Sequence, residues 1–182
     1  MGKKYDLSSL SLLVIDNSNY MLSILKILLK GFGIQHLSDS NDAEEAFGLA
    51  KSMPIDIIIV DHTRTGTDGI AFIKQVRSAE ASSNPYVPII MLTAHSERTI
   101  VEQARDAGVT ELLRKPITAA GLFSRILETV ERPRPFIRSK TYFGPDRRRR
   151  VDENYTGEER RKDNLDAALK IDDEAEPAPA AS

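Results

Sequence analysis

The 182-residue chain alternates short continuous apolar runs with longer segments whose apolar residues recur at three- and four-residue spacing. The most continuous run is Ile55-Asp56-Ile57-Ile58-Ile59-Val60-Asp61, in which five of the first six residues are β-branched and apolar. Such a run predicts a parallel strand buried on both faces and emerging at a carboxylate. Leu10 to Ile15 is a similar run ending in Asp16-Asn17, and Asn19 to Leu29 follows with helical spacing until Gly31 and Gly33 stop it. Ile34 to Leu37 predicts a second strand. Asn41 and Glu44 have the spacing of a capping pair for a helix through Ala43, Ala46, Phe47 and Ala50, closed by Pro54. After Asp61 come a loop to Asp68, a helix from Gly69 to Arg77, a strand from Pro88 to Thr93 and a helix from Ser96 to Asp106. A short strand at Glu111 to Arg114 precedes Lys115-Pro116. The last helix, Ala119 to Glu131, carries Leu122, Phe123, Ile126, Leu127 and Val130 on one stripe.

Five strand–helix pairs in strict alternation predict an α/β fold: a five-stranded parallel sheet, doubly wound, with helices on both faces. Right-handed crossovers bring all the strand ends to one rim, where ligands gather in open sheets of this kind. Asp16, Asp61, Thr93 and Lys115 each fall at or just past such an end. A helix-capping or turn role explains any one of them, but not four at equivalent places. Pairing of Lys115 with Asp61 or Asp16 as a purely structural ion pair is the competing account.

Charge changes the picture beyond residue 131. The chain as a whole is −2, yet residues 1–131 carry −3, residues 132–162 carry +6 and residues 163–182 carry −5. Arg132-Pro133-Arg134-Pro135 cannot comfortably continue a helix, and no sustained apolar period follows, which predicts a linker and a disordered segment. The expected organisation is a domain over 8–131, an arginine-rich binding segment over 132–162 and an acidic disordered tail over 163–182. Leu165, Leu169 and Ile171 read as isolated apolar residues in that tail. The absence of cysteine excludes a disulfide framework, a thiolate metal site and a cysteine nucleophile. With no apolar run long enough to span a bilayer and no signal-peptide pattern, a cytoplasmic protein without membrane insertion is expected.

The basic segment contains a short repeat. Tyr142-Phe143-Gly144-Pro145-Asp146-Arg147-Arg148-Arg149 aligns with Tyr155-Thr156-Gly157-Glu158-Glu159-Arg160-Arg161-Lys162, thirteen residues on. A lone arginine run would be a solvated charge block or a nucleic-acid tail, but that leaves the duplicated tyrosine, glycine and acid unexplained. Arginine clamps phosphate, reads guanine and stacks on bases; tyrosine adds a stacking face; an acid accepts from guanine N–H donors. A ligand with two guanines, two phosphates and twofold symmetry would use both copies. Cyclic di-GMP has that chemistry.

Together, Val14-Ile15-Asp16-Asn17, Val60-Asp61 with Asp68-Gly69, Met91-Leu92-Thr93-Ala94 and Lys115-Pro116 resemble the response-regulator receiver domain, the flavodoxin-like fold of CheY and of bacterial two-component signalling. The resemblance implies phosphorylation of Asp61 by a histidine kinase or small phosphodonor, phosphoryl contacts from Thr93 and Lys115, and a cis Lys-Pro bond. It also implies a Mg²⁺ site at Asp16, Asn17, Asp61 and Thr63, carboxylates and a carbonyl suiting a hard ion. Asn17 stands where the family has a second acid, so weaker Mg²⁺ binding is expected. Leu112 stands where it has a switch aromatic. His62 reads as a solvent-facing loop residue ahead of a metal ligand or proton carrier. The tail (Tyr142, Asp146, Arg147, Arg148, Arg149, Tyr155, Glu159, Arg160, Arg161) is similar to the arginine-rich segment of the cyclic-di-GMP-binding CheY-like Cle regulators, which act in flagellar motility. That likeness implies a non-enzymatic adaptor for a partner such as the flagellar motor switch. The alternatives are an ordinary phosphorelay receiver whose tail binds no small ligand and, with little support, a DNA-binding regulator.

Overall fold

The computed structural model describes residues 5–62, 69–78, 80–94, 97–139 and 141–147. The elements run β1 (Ser11–Ile15), α1 (Asn19–Gly31), β2 (His36–Ser40), α2 (Ala43–Ser52), β3 (Ile57–Asp61), α3 (Gly69–Arg77), β4 (Ile89–Thr93), α4 (Arg98–Ala107), β5 (Glu111–Arg114), α5 (Ala119–Glu131), β6 (Phe136–Arg138) and β7 (Phe143–Pro145). The first five strands form one parallel sheet in the order β2-β1-β3-β4-β5, as the alternation predicts. All five residues of β3 are buried, because the strand lies at the centre of the sheet with helices on each side.

The pleat sorts the core into two layers. Ile58 and Val60 join Leu13, Ile15, Ile89 and Met91 in the layer that takes in Phe72, Ile73 and Val76 of α3 and Ala104 and Ala107 of α4. Ile57 and Ile59 join Leu12, Val14, Ile90 and Leu92 against Leu22, Leu25 and Leu29 of α1 and Leu122 and Ile126 of α5. Both faces of these strands need apolar residues, so their sequences show runs and not alternation.

Two local readings need correction. Asp42, not Asn41, caps α2: its side chain accepts from the N–H groups of Glu44 and Glu45, each at 2.9 Å. Asn41 instead donates to Asn19 Oδ1. The second strand begins at His36, two residues later than Ile34, whose buried side chain packs in the turn before the strand. An edge strand bonded on one side only tolerates the polar sequence His-Leu-Ser-Asp-Ser.

The larger correction lies beyond α5. Residues 136–145 are not linker: β6 and β7 pair antiparallel, with Phe136 opposite Pro145 and Arg138 opposite Phe143. Backbone bonds from Ser139 N–H to the Tyr142 carbonyl and from Asp146 N–H to the Pro135 carbonyl, both 2.8 Å, close the two ends. Two three-residue strands do not stand alone in water, and this hairpin takes its core from the domain. Phe136 and Phe143 pack edge-on against Tyr86, with centroids 5.2 and 5.1 Å away.

Candidate functional site

At the C-terminal rim of the sheet, β1 delivers Asp16, β3 ends in Asp61, β4 ends in Thr93 and β5 leads into Lys115. Asp16, Asp61 and Thr93 are all buried. Lys115 Nζ lies 2.9 Å from Asp61 Oδ1 and 3.5 Å from Asp16 Oδ2, so one partly buried cation is shared by two carboxylates. Backbone bonds set this arrangement: Lys115 N–H donates to the Thr93 carbonyl and His62 N–H to that of Leu92, both at 2.8 Å. The Lys115–Pro116 peptide is cis. Gly69 opens α3 so close to the end of β3 that a Cβ there would collide with the Asp61 carbonyl oxygen. Close backbone approach thus accounts for the glycine of the Asp68-Gly69 pair.

Burial pushes the Asp16 carboxyl above its ordinary value, and the negative charge of Asp61 adds to the effect. A hydrogen bond from Ser18 N–H at 2.9 Å and the Lys115 ammonium oppose it. Two buried carboxylates with a shared cation form a site that favours a further positive charge or a group bringing one. Magnesium commonly takes only one or two carboxylates and completes its shell with water, so Asp16 and Asp61 fit it, with the exposed Asn17 amide at hand. Among the described residues no cluster of three or more acidic, histidine or cysteine side chains is placed to hold a metal. Thr63 lies outside the described residues. His62 is half-buried, not solvent-facing as expected for a loop residue. Leu112 packs, partly buried, against the core layer that includes α3 and α4.

A second cluster occupies the opposite rim, where β4 and β5 begin. A five-residue strand at about 3.3 Å per residue puts it roughly 15 Å from the carboxylates. Its centre is Arg77, the last residue of α3, which is 6% exposed. Its guanidinium donates to the carbonyls of Gly108 (3.0 Å), Pro85 (2.8 Å) and Val87 (2.7 Å), and lies 5.1 Å from the Phe136 ring centroid. Burial lowers its pKa to about 10. Glu111, also buried, pairs with Arg134 at 2.8 Å and Arg125 at 3.2 Å, fixing the segment that leads into β6. Gly108, at φ 93°, ends α4 in the left-handed region; a Cβ on Gly144 would come within 2.9 Å of its Cα.

Of the tail residues singled out in the sequence, three are described, and they lie at the end of this hairpin. The Tyr142 hydroxyl donates to the Pro145 carbonyl at 2.8 Å, and burial raises its pKa against the opposing pull of Arg147. Arg147 stacks over the Tyr142 ring at 4.2 Å and pairs with Asp106 of α4 at 3.0 Å. The Asp146 carbonyl lies 3.4 Å from Arg134 Nη1. Arg148, Arg149, Tyr155, Glu159, Arg160 and Arg161 lie outside the described residues. Sequence reasoning missed Arg77, Glu111 and Asp106. The only signal for Arg77 was an arginine ending an amphipathic helix, which is ordinarily a solvated position.

Residues 12–127 match the response regulator receiver domain. The chain is similar to chemotaxis protein CheY-3 of Vibrio cholerae, 29% identical over 124 residues that span 68% of this chain and 94% of that protein. It is likewise similar to chemotaxis protein CheY of Pseudomonas aeruginosa, 29% identical over 123 residues, 68% of this chain and 98% of that one. The crystal structure of Vibrio cholerae CheY4 superposes with a TM-score of 0.61 at 24% identity, over 65% of this chain and 97% of that one, a likeness of fold.

Proposed function

This chain belongs to the response regulator receiver family, and from that premise we propose that it is a signalling adaptor with two inputs: phosphorylation at Asp61 and capture of cyclic di-GMP by its arginine-rich segment. For the first input, the supporting observation is Asp61 at the open rim, 2.9 Å from Lys115, with Thr93 at the end of the next strand. An Asp61 carboxylate oxygen forms the bond to phosphorus as the bond from phosphorus to the donor nitrogen breaks and that nitrogen leaves with the electron pair. The Lys115 ammonium and the Thr93 hydroxyl take phosphoryl oxygens, lowering the charge that Asp61 meets. Mg²⁺, when held by Asp16, Asn17, Asp61 and Thr63, supplies further positive charge at those oxygens. Asp61→Asn is expected to remove Mg²⁺-dependent labelling by a small phosphodonor; labelling that persists refutes this input.

For the second input, the duplicated aromatic-x-Gly-x-acid-Arg-Arg pattern carries the reading. Each copy would take one guanine and one phosphate, with arginine stacking and clamping and the acid accepting from guanine N–H groups. Calorimetry of the full chain is expected to show saturable heat with cyclic di-GMP and little with GMP. Replacing Arg147, Arg148, Arg160 and Arg161 with alanine should abolish the signal. The likeness to chemotaxis proteins supports a partner in the flagellar switch, with a histidine kinase upstream. One observation favours the plainer alternative, a phosphorelay receiver whose tail takes no small ligand: Tyr142 and Arg147 already have intramolecular partners. That reading predicts no heat with cyclic di-GMP and retention of phosphorylation.

A further inference from the structure

The first copy of the repeat is not a free tail. Its tyrosine is pinned by the Pro145 carbonyl, its glycine lies against Gly108, and its first arginine sits over the Tyr142 ring, 4.2 Å from the centroid. A guanidinium held over an aromatic face loses freedom and turns its remaining N–H groups toward a nearby anion. In this chain the anion is the Asp106 carboxylate, with Oδ1 3.0 Å from Arg147 Nη2. The same oxygen is 3.9 Å from Nε of Arg105. One acceptor oxygen on α4 is therefore approached by a cation of the hairpin and a cation of the receiver.

We propose that Asp106 occupies the place of a ligand phosphate, so that an incoming nucleotide phosphate displaces its carboxylate and takes both Arg147 and Arg105, making Arg105 the receiver's own contribution to the binding site. This rests on the cyclic-di-GMP reading above and adds to it a residue outside the repeat and an internal competitor. Two arginines converging on one phosphate provide more charge-assisted donors than a single clamp. Asp106 is 57% exposed on its side chain, so its pair with Arg147 is a surface pair and its competition is modest. The geometry also ties capture to the end of α4. Arg147 cannot serve Asp106 and a phosphate along the same N–H edge, so binding releases the contact between hairpin and helix.

The test is a calorimetric titration of the full-length protein with cyclic di-GMP at low salt, comparing wild type with Asp106→Asn, Arg105→Ala and Glu102→Gln. Glu102, one turn earlier on α4 and paired with Arg98, controls for the general effect of removing a negative charge. Asp106→Asn is expected to bind about threefold more tightly, the size of an exposed ion pair, and Arg105→Ala about fivefold more weakly, while Glu102→Gln stays at the wild-type value. Equal affinity in wild type and Asp106→Asn, an equal gain in Glu102→Gln, or an unchanged Arg105→Ala overturns the proposal while leaving nucleotide binding intact. No heat from any of the four overturns the underlying reading, and the proposal with it. The expected pattern is not reproduced by a merely structural role, because loss of the Asp106–Arg147 pair would then loosen the hairpin and weaken binding.

Discussion

Replacing Arg77 with methionine removes the group on which the opposite rim converges while keeping an unbranched side chain of similar reach. The guanidinium serves three carbonyls, those of Gly108, Pro85 and Val87, and the face of Phe136. A buried carbonyl left unsatisfied costs about 1–3 kcal/mol, and methionine offers none of these three a donor. Against that stands relief of the desolvation that lowers the Arg77 pKa to about 10. Taking about 1 kcal/mol per orphaned carbonyl, with Pro85 only partly buried, gives a loss of at most about 3 kcal/mol before that relief is subtracted. For a domain of this size the corresponding fall in Tm is on the order of 10 °C. Circular-dichroism melting measures that fall, and amide exchange at Ser139 and Asp146, whose N–H groups close the hairpin, measures its release. Arg77→Lys should recover little, since one ammonium cannot reproduce the planar fork. A Tm within about 2 °C of wild type, with both amides still protected, would refute the clamp.

Three further outcomes are expected. The Asp16 pKa is raised in the folded protein, so between pH 3.8 and the raised value the folded state binds more protons than the unfolded one, and the group's contribution to stability falls as pH rises through that window. Asp16→Asn, which can still accept from Ser18 N–H, should therefore be more stable than wild type in urea unfolding near neutral pH without divalent cations, with the advantage vanishing below pH 3.8. Gly144→Ala places a Cβ 2.6 Å from the Tyr142 hydroxyl and 2.9 Å from Gly108 Cα, and should cost about 1–3 kcal/mol, read as faster exchange at Asp146 with the β3 amides unaffected. Gly48→Ala, in the interior of α2 with nothing within 4 Å of the new Cβ, should instead stabilise by about 0.5–1 kcal/mol in the same unfolding assay.

The parallel sheet and its rim were legible because they follow from local pattern. Ile57 to Val60 must be apolar on both faces, and the residue after such a strand is delivered to a fixed place by right-handed crossovers. Asp16, Asp61, Thr93 and Lys115 could therefore be grouped without knowing any distance. The cap of α2 was off by one residue because Asn41 and Asp42 are both good caps, and only backbone geometry decides which accepts from Glu44 N–H. The hairpin was missed for a different reason. Phe136 and Phe143 are too few to build a core alone, and a search for an autonomous core rejects them, yet they complete an aromatic cluster begun by Tyr86. Nothing in the local sequence of Arg77 distinguishes a buried clamp from a solvated helix end, because its partners are carbonyls of β4's approach and of the turn after α4.

The first copy of the repeat is docked on the receiver through Tyr142, Gly144 and Arg147, and the second lies outside the described residues. The most direct test of the account is a titration with cyclic di-GMP of the full chain beside a chain ending at Arg149, which keeps the hairpin, its clamp and the whole first copy but lacks the second. The account predicts saturable binding to the full chain and its loss, or a drop of at least about a hundredfold, in the shortened one. Equal affinity in the two chains, or no heat with the full chain at low salt, would contradict it.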